Sequence, residues 1–181
     1  MARILIPYGT TEGQTARIAE YIADVLQAHG HEAETLDLKH AEHELPGGYD
    51  GVIVGASIQG GKHEGYVADF VRRNKAALEG LPAALFSVSL SAHADPEEAQ
   101  KLVTEFEDGT GWHPARVALF GGALLYTQYG FLKRMMVTKI VSGQGSPDTD
   151  TGRDYVYTEW DGVRRFAEEF VDSLERNPAS E

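Results

Sequence analysis

Three threonines surround a single glycine where the first apolar run of the chain gives way to an amphipathic stretch. They are Thr10, Thr11 and Thr15, with Gly13 between them, in the segment ILIPYGTTEGQTARIAEYI. A tight turn into a helix N-terminus presents unpaired backbone N–H groups at the positive end of the helix dipole, and this combination binds phosphate. A single threonine at a helix start is more often only a cap. Three around one glycine favour a phosphate monoester held by hydroxyl and amide groups.

Two common phosphate-binding motifs are missing from this turn. The dinucleotide fingerprint needs three glycines at fixed offsets, and the segment GTTEGQT does not have them. The P-loop needs a Gly-Lys-Ser/Thr triplet, which occurs nowhere in the chain. The turn therefore predicts a phosphate site that works without a lysine.

Two later loops also carry small and polar residues directly after apolar runs. They are GASIQGGKHEG (55–65) and SVSLSAHAD (87–95). Ligands of open α/β sheets bind at the carboxyl ends of the strands, and glycines let the backbone approach a flat ring closely. We therefore expect both loops to join the first turn in one site. His63 and His93 could orient a ligand there, although a loop histidine is more often merely solvated.

Strands and helices alternate along almost the whole chain. The apolar runs that predict strands lie at 3–8, 33–38, 51–57, 83–90 and 116–125. The third and fourth show little alternation, as strands buried on both faces of a parallel sheet do. Strand–helix alternation of this kind predicts an α/β fold, a three-layer doubly wound parallel sheet of five strands in the order 2-1-3-4-5.

The helices between these strands are recognised by their apolar stripes. Asp95 is a predicted cap, with Pro96 at the first helical position of the segment DPEEAQKLVTEFED. The stripes of the first, second and last helices comprise Ile18, Ile22, Val25 and Leu26; Val67, Phe70, Val71 and Leu78; and Trp160, Val163, Phe166, Phe170 and Leu174. Their spacing of three and four residues places each stripe on one helix face.

Composition and charge exclude several classes of function. The absence of cysteine rules out disulfides and a thiolate nucleophile, so any redox chemistry must come from a bound cofactor. A net charge of −12 argues against nucleic acid as a partner. No apolar run is long enough to cross a bilayer and the start lacks a signal peptide, so we expect a cytoplasmic protein. His40 and His43 lack further ligands nearby, so we expect no metal site.

One long window of this acidic chain contains no acid at all. There is no Asp or Glu from Gly109 to Pro147. Within this window, YGFLKRMMVTKIV (129–141) has the pattern of a short basic amphipathic helix. Such a helix can lie at a membrane surface, at the inner face of the cell membrane, or pack against the core or a dimer interface. The sequence favours neither arrangement, and an oligomer is compatible with the second.

The first turn resembles the flavodoxin signature, in which an apolar strand leads to Ser/Thr-x-x-Gly-x-Thr and then an alanine. Thr10, Gly13, Thr15 and Ala19 occupy those places, followed by Ile22. The resemblance implies FMN as the cofactor, with its phosphate on the first turn and its ring between the two later loops. The residues implied in FMN binding are Thr10, Thr11, Glu12, Gly13, Gln14 and Thr15; Ser57, Ile58, Gln59 and Gly60; and Ser87, Val88, Ser89, Leu90 and Ala92.

Other stretches are similar to menaquinone-dependent protoporphyrinogen dehydrogenases of the flavodoxin-like type. They are GASIQGGKHEG, LPAALFSVSLSA, FGGALLYTQY and DTDTGRDYVYTEWDGVRRFAEEF. This likeness implies a single FMN-binding domain over 1–181, with its core at about 3–172 and a helical insert after strand five at about 126–152. It further implies oxidation of protoporphyrinogen IX to protoporphyrin IX in haem biosynthesis, with electrons passed through FMN to menaquinone.

In that case the chain positions and tunes the flavin, and we name no catalytic acid or base. Tyr126, Tyr129 and the helix at 129–141 are candidates for shaping the substrate and quinone side. Ile58 and Leu90 stand where electron-carrying flavodoxins often have aromatic rings, so the flavin face would be open to a stacking substrate.

Three other functions compete with this one. A soluble electron carrier would keep charge near its flavin, which the acid-free window contradicts. A flavodoxin-fold module that has lost its flavin would not need Thr10, Gly13 and Thr15. A different FMN quinone reductase using NAD(P)H is also possible in principle, although nothing in the sequence marks a nicotinamide site.

Overall fold

The structure is a computed structural model and describes residues 1–124 and 155–176 of the 181-residue chain. The elements in chain order are β1 (Arg3–Tyr8), α1 (Gln14–Ala28), β2 (Glu32–Asp37), β3 (Gly51–Gln59), β4 (Lys62–His63), α2 (Gly65–Arg73), α3 (Lys75–Glu79), β5 (Ala83–Ser89), α4 (Ser91–Ala94), α5 (Pro96–Thr110), β6 (Arg116–Gly121), β7 (Ala123–Leu124), β8 (Tyr155–Val156) and α6 (Trp160–Arg176).

Five parallel strands form the central sheet in the order β2-β1-β3-β5-β6. This is the predicted order 2-1-3-4-5, because the extra strand β4 is a short antiparallel addition to β3 and lies off the path. The inner strands β3 and β5 are buried almost throughout. That burial explains why their sequences show little alternation of apolar and polar residues.

Two apolar layers cover the sheet, one on each face. On one face α1 and α6 pack over β1 and β5, with Ile18 and Phe170 among the buried side chains. On the other face α2, α3 and α5 pack over β3, with Phe70 and Phe106 in the contact. The predicted three-layer α/β fold is confirmed.

The second predicted helix is divided in two at Asn74. The Asn74 side chain donates to the carbonyls of Phe70 and His43 and accepts a hydrogen bond from the Leu45 backbone N–H. An asparagine that bonds to nearby backbone in this way competes with continued helix. By contrast, α5 begins as predicted: the Asp95 carboxylate accepts from the Glu98 N–H, and Pro96 follows at the first position.

Two predicted segment boundaries are wrong. The strand predicted over 116–125 ends at Gly121, and residues Ala123–Leu124 pair antiparallel with Tyr155–Val156 instead. A side chain on Gly121 would place its Cβ 2.4 Å from the Tyr157 carbonyl oxygen, so the chain crosses itself closely there. The loop predicted at 55–65 is a hairpin, because β3 continues to Gln59 and turns through Gly60 and Gly61, both with positive φ.

The predicted insert (126–152), its helix (129–141), Tyr126 and Tyr129 lie outside the described residues. Within the described ranges, no helix is both long enough and apolar enough to cross a membrane.

Candidate functional site

The ends of four parallel strands meet at one edge of the sheet. In the strand register, Tyr8 pairs with Gly55, Ser57 with Val88, and Ser89 with Gly121. The Gly9 N–H, just after β1, donates to the Gly55 carbonyl at 2.9 Å. The turn after β1, the β3–β4 hairpin and the segment after β5 therefore lie side by side, as the sequence predicted.

The first turn, residues 9–15, is stabilised by a hydrogen bond to one of its own side chains, and we call it the phosphate turn after its predicted ligand. Gly13 has a φ of +89°, a left-handed conformation that favours glycine. The Gly13 N–H donates to the Thr10 hydroxyl at 2.9 Å, so Thr10 closes the turn. The first helical hydrogen bond runs from the Arg17 N–H to the Gly13 carbonyl. The N–H groups of the first turn of α1 have no acceptor within the helix, so they are free to bind a ligand.

Two buried polar atoms at the start of α1 have no partner within residues 1–124 and 155–176. The Thr15 side chain is 1% exposed, and its Oγ1 has no hydrogen-bond partner among the described residues. Gln14 is 4% exposed, and its Oε1 is likewise unpartnered there. A buried polar group left without a partner costs about 1–3 kcal/mol. The Thr15 hydroxyl suits a phosphate oxygen, and the Gln14 oxygen suits a hydroxyl donor.

The turn rests directly on helix α2. A Cβ on Gly9 would lie 2.4 Å from Val67 Cγ2, so only glycine permits this approach. The Tyr66 hydroxyl accepts from the Thr10 N–H at 3.2 Å. Burial raises the pKa of Tyr66 above its ordinary value, and the charge of Glu64 adds to this, so the phenol stays neutral.

Glu64 joins the phosphate turn to the hairpin. Its carboxylate accepts hydrogen bonds from the Ser57 N–H at 3.0 Å, from the Ser57 hydroxyl and from the Thr11 hydroxyl at 3.5 Å. Burial raises the pKa of Glu64 above its ordinary value, and these hydrogen bonds oppose that rise. Sequence reasoning missed this role, although Glu64 lies inside the quoted glycine-rich loop.

The remaining hairpin residues form the rim of the site. Ile58 is half-buried, whereas Gln59 and Gly60 are exposed. The Gln59 amide donates to the Glu12 carboxylate at 3.4 Å, a second link between the hairpin and the phosphate turn. The structure thus brings together these two groups of the predicted site residues.

The third group of predicted site residues, at the end of β5, offers fewer free side-chain hydroxyls for a ligand than we expected. Ser87 and Ser89 are buried and already engaged: Ser87 Oγ lies 2.8 Å from His63 Nε2, and Ser89 Oγ accepts from the Ala92 N–H at 3.0 Å. Val88 packs into the core beside α1 and α6. Leu90 and Ala92 remain half-exposed at the edge.

His63 is buried, so interpreting it as a solvated loop histidine is wrong. It is 9% exposed, and its ring centre lies 5.0 Å from that of Phe106. Burial lowers the pKa of His63 to about 4, so the imidazole is neutral near pH 7. Its neutral ring joins β4 to β5 through Ser87. The His93 side chain lies outside the described part.

A second connection reaches the phosphate turn from far along the chain. The Gln14 amide donates to the Thr158 hydroxyl at 2.8 Å, and the Thr158 hydroxyl donates to the Gly121 carbonyl at 2.7 Å. Sequence reasoning did not single out Thr158, although it lies within the quoted VYTEW stretch.

Comparisons with known proteins agree with this architecture. The family model for the flavodoxin domain matches residues 5–151. The chain is 33% identical over 172 residues to protoporphyrinogen IX dehydrogenase (quinone) of Escherichia coli K12, covering 93% of this chain and 94% of that protein. It is also 33% identical over 173 residues to the protein of the same name from Leishmania major, covering 93% and 74%. Flavodoxin 1 from Bacillus cereus superposes with a TM-score of 0.58 at 20% identity, covering 96% of this chain and 99% of that chain.

Proposed function

This chain belongs to the flavodoxin domain family and to the family of the protoporphyrinogen IX dehydrogenases (quinone), and on that premise we propose that it is an FMN-dependent oxidoreductase of haem biosynthesis. Its substrate is protoporphyrinogen IX, its product is protoporphyrin IX and its electron acceptor is menaquinone. FMN, when bound, supplies the capacity to take up two electrons from the substrate and pass them to the quinone.

The start of α1 carries the assignment of FMN. A phosphate oxygen would satisfy the buried Thr15 hydroxyl. Phosphate at this position would also accept from the first N–H groups of the helix and meet the positive end of its dipole. The donors and acceptors on the turn therefore fit FMN better than a flavin without phosphate.

The chain contributes binding and orientation. The phosphate turn would bind the phosphate through six consecutive residues, Thr10, Thr11, Glu12, Gly13, Gln14 and Thr15. Ser57, Ile58, Gln59 and Gly60 offer one side of the ring site. The other side of the ring site would be formed by backbone groups, because the hydroxyls of both serines there already have partners. The residues on this side are Ser87, Val88, Ser89, Leu90 and Ala92. The half-buried Ile58 and Leu90 leave room for a large flat substrate against the ring.

We assign the substrate and quinone side to the segment 126–152. Its predicted helix at 129–141 carries Lys and Arg beside apolar residues, which suits a peripheral contact with anionic lipids, where a lipid-borne quinone resides. The protein would then be cytoplasmic and bind to the inner face of the cell membrane. A dimer interface is the alternative use of this segment.

Flavin binding and flavin reduction test the proposal together. The protein is loaded with FMN, freed of excess cofactor and mixed under nitrogen with protoporphyrinogen IX. We expect the yellow flavin absorbance to bleach and to return when a menaquinone analogue is added. A protein that stays colourless with FMN would contradict the cofactor assignment. A yellow protein that protoporphyrinogen IX does not bleach would contradict the substrate assignment.

A further inference from the structure

Thr158 lies between two hydrogen bonds that join segments distant in the sequence. It is 9% exposed, accepts from the Gln14 amide at 2.8 Å and donates to the Gly121 carbonyl at 2.7 Å. Gln14 and Thr158 are 144 residues apart in the sequence, and both are buried. A hydrogen bond between such distant elements holds two segments that local structure alone would leave independent.

The far ends of these two hydrogen bonds have different surroundings. At one end, Gln14 is the first residue of α1, directly before Thr15 with its unpartnered hydroxyl. At the other end, Gly121 closes β6, where the Tyr157 N–H donates to the Gly122 carbonyl and the Gly122 N–H donates to the Ser89 carbonyl. Thr158 therefore connects the phosphate turn with the backbone that follows β5 and β6.

No other hydrogen bond among the described residues fixes the Gln14 side chain, because its amide oxygen has no partner there. The orientation of Gln14 thus depends on the Thr158 hydroxyl. Gln14 in turn begins the helix whose first N–H groups and Thr15 hydroxyl face the ligand. Losing the hydroxyl would leave a buried amide unpaired at the point where the phosphate binds.

We propose that Thr158 is a positioning residue for the cofactor: its hydroxyl holds Gln14 in place, so that the start of α1 is preorganised for the phosphate of FMN. This inference rests on the proposed function.

The test compares the affinities of the apoprotein for FMN and for riboflavin, which lacks the phosphate. Thr158→Val removes the hydroxyl and keeps the shape, whereas Thr158→Ser keeps the hydroxyl as the matched control. We expect Thr158→Val to weaken FMN binding about tenfold, in keeping with one lost hydrogen bond, and to weaken riboflavin binding much less. The preference for FMN over riboflavin should fall, and Thr158→Ser should retain it.

A second variant covers the case in which Thr158→Val does not fold. Gln14→Met removes the other partner of the same hydrogen bond and should lower the preference for FMN in the same direction. If both single variants fold, the double variant Gln14→Met/Thr158→Val should bind FMN about as weakly as Gln14→Met alone, because both substitutions remove the same hydrogen bond.

The outcomes separate the two proposals. Equal loss of FMN and riboflavin affinity in Thr158→Val, or an unchanged preference, would overturn the positioning role. Wild-type protein that fails to bind FMN would overturn the proposed function instead.

Discussion

At the scale of single residues, the phosphate turn places a buried hydroxyl where no group in the described part of the chain satisfies it. Thr15 Oγ1 is unpartnered among the described residues and 1% exposed. A hydroxyl that destabilises the empty fold but contacts a ligand is expected at a binding site rather than in a core. Replacing this hydroxyl should therefore change the stability of the apoprotein and its affinity for the cofactor in opposite directions.

Thr15→Val should show these opposite changes. We expect the apoprotein variant to be as stable as wild type or more stable by up to about 1 kcal/mol, because an unsatisfied hydroxyl is replaced by a methyl group. FMN affinity should fall about tenfold or more. Urea unfolding of the apoprotein and flavin fluorescence titration measure the two quantities. Lower apoprotein stability with unchanged FMN affinity would show that Thr15 serves the fold alone.

Glu64→Ala should weaken flavin binding by a different route from Thr15→Val. Loss of the carboxylate frees Ser57 and Thr11 together and leaves the 3.4 Å Gln59–Glu12 hydrogen bond to join the hairpin to the phosphate turn. We expect FMN and riboflavin affinity to fall by similar factors, measured by the same titration. The exposed Glu79 forms a surface ion pair with Lys75, away from the hairpin. It provides the control Glu79→Ala, which should bind both flavins as wild type does. If Glu64→Ala matches this control, Glu64 does not organise the site.

Residue types at the site were predictable, but their partners were not. Thr10, Gly13 and Thr15 could be predicted as phosphate-binding residues because such a turn is recognised from local sequence alone. Glu64 and Thr158 act across long separations, and nothing in a local pattern reveals which acceptor will lie opposite. Ser87 was predicted from its position after an apolar strand, whereas its direction toward His63 depends on tertiary packing.

At the scale of elements, the neutral His63 connects the β3–β4 hairpin to strand β5 through Ser87. Burial lowers the pKa of His63 to about 4, below the value near 6.5 expected for the unfolded chain. Between these values the unfolded chain binds more protons than the folded protein, so stability falls as pH falls from about 6.5 toward 4. The shift corresponds to a loss on the order of 3 kcal/mol.

Urea unfolding of wild type and His63→Gln at pH 7 and pH 4.5 measures this loss. We expect wild type to lose more stability than the variant over this interval. His40→Gln, at an exposed histidine, should follow wild type. Identical pH dependence in wild type and His63→Gln would mean that His63 charges without penalty in the folded protein.

Strand β3 contains a second constraint on the site edge. A Cβ on Gly55 would lie 2.2 Å from the ring of Phe86 on β5, within the core layer beneath the phosphate turn. Gly55→Ala should therefore destabilise the protein by about 1–3 kcal/mol through overpacking. Gly47→Ala, where nothing lies within 4 Å and φ is not positive, is the control and should change stability little. Equal stability of the two variants in thermal unfolding would show that Phe86 moves aside freely.

Element types followed from periodicity, and the errors have physical causes. The inner strands β3 and β5 were predicted because burial on both faces leaves continuous apolar runs. The division at Asn74 and the end of β6 at Gly121 were not, since each depends on a contact with a distant segment. The β4 strand was hidden in a glycine-rich stretch whose residues are also typical of a loop.

At the scale of the whole molecule, we propose separate regions for the cofactor and the substrate. The edge of the sheet, with the phosphate turn and the hairpin, carries buried polar atoms that have no partner among the described residues, and we propose that FMN supplies those partners. The segment 126–152, most of which lies in the acid-free window 109–147 of a chain with net charge −12, is the region proposed for the substrate and quinone. A protein that oxidises a substrate at a membrane needs both regions, whereas a soluble carrier needs only the first.

Anaerobic turnover tests the central claim most directly. FMN-loaded protein is supplied with protoporphyrinogen IX and a menaquinone analogue under nitrogen, and protoporphyrin fluorescence is followed over many equivalents of enzyme. We predict sustained growth of fluorescence that requires the protein, FMN and the quinone together. Fluorescence that does not exceed the rate without protein, while the loaded flavin exchanges electrons rapidly with a protein partner, would contradict the account and identify an electron carrier.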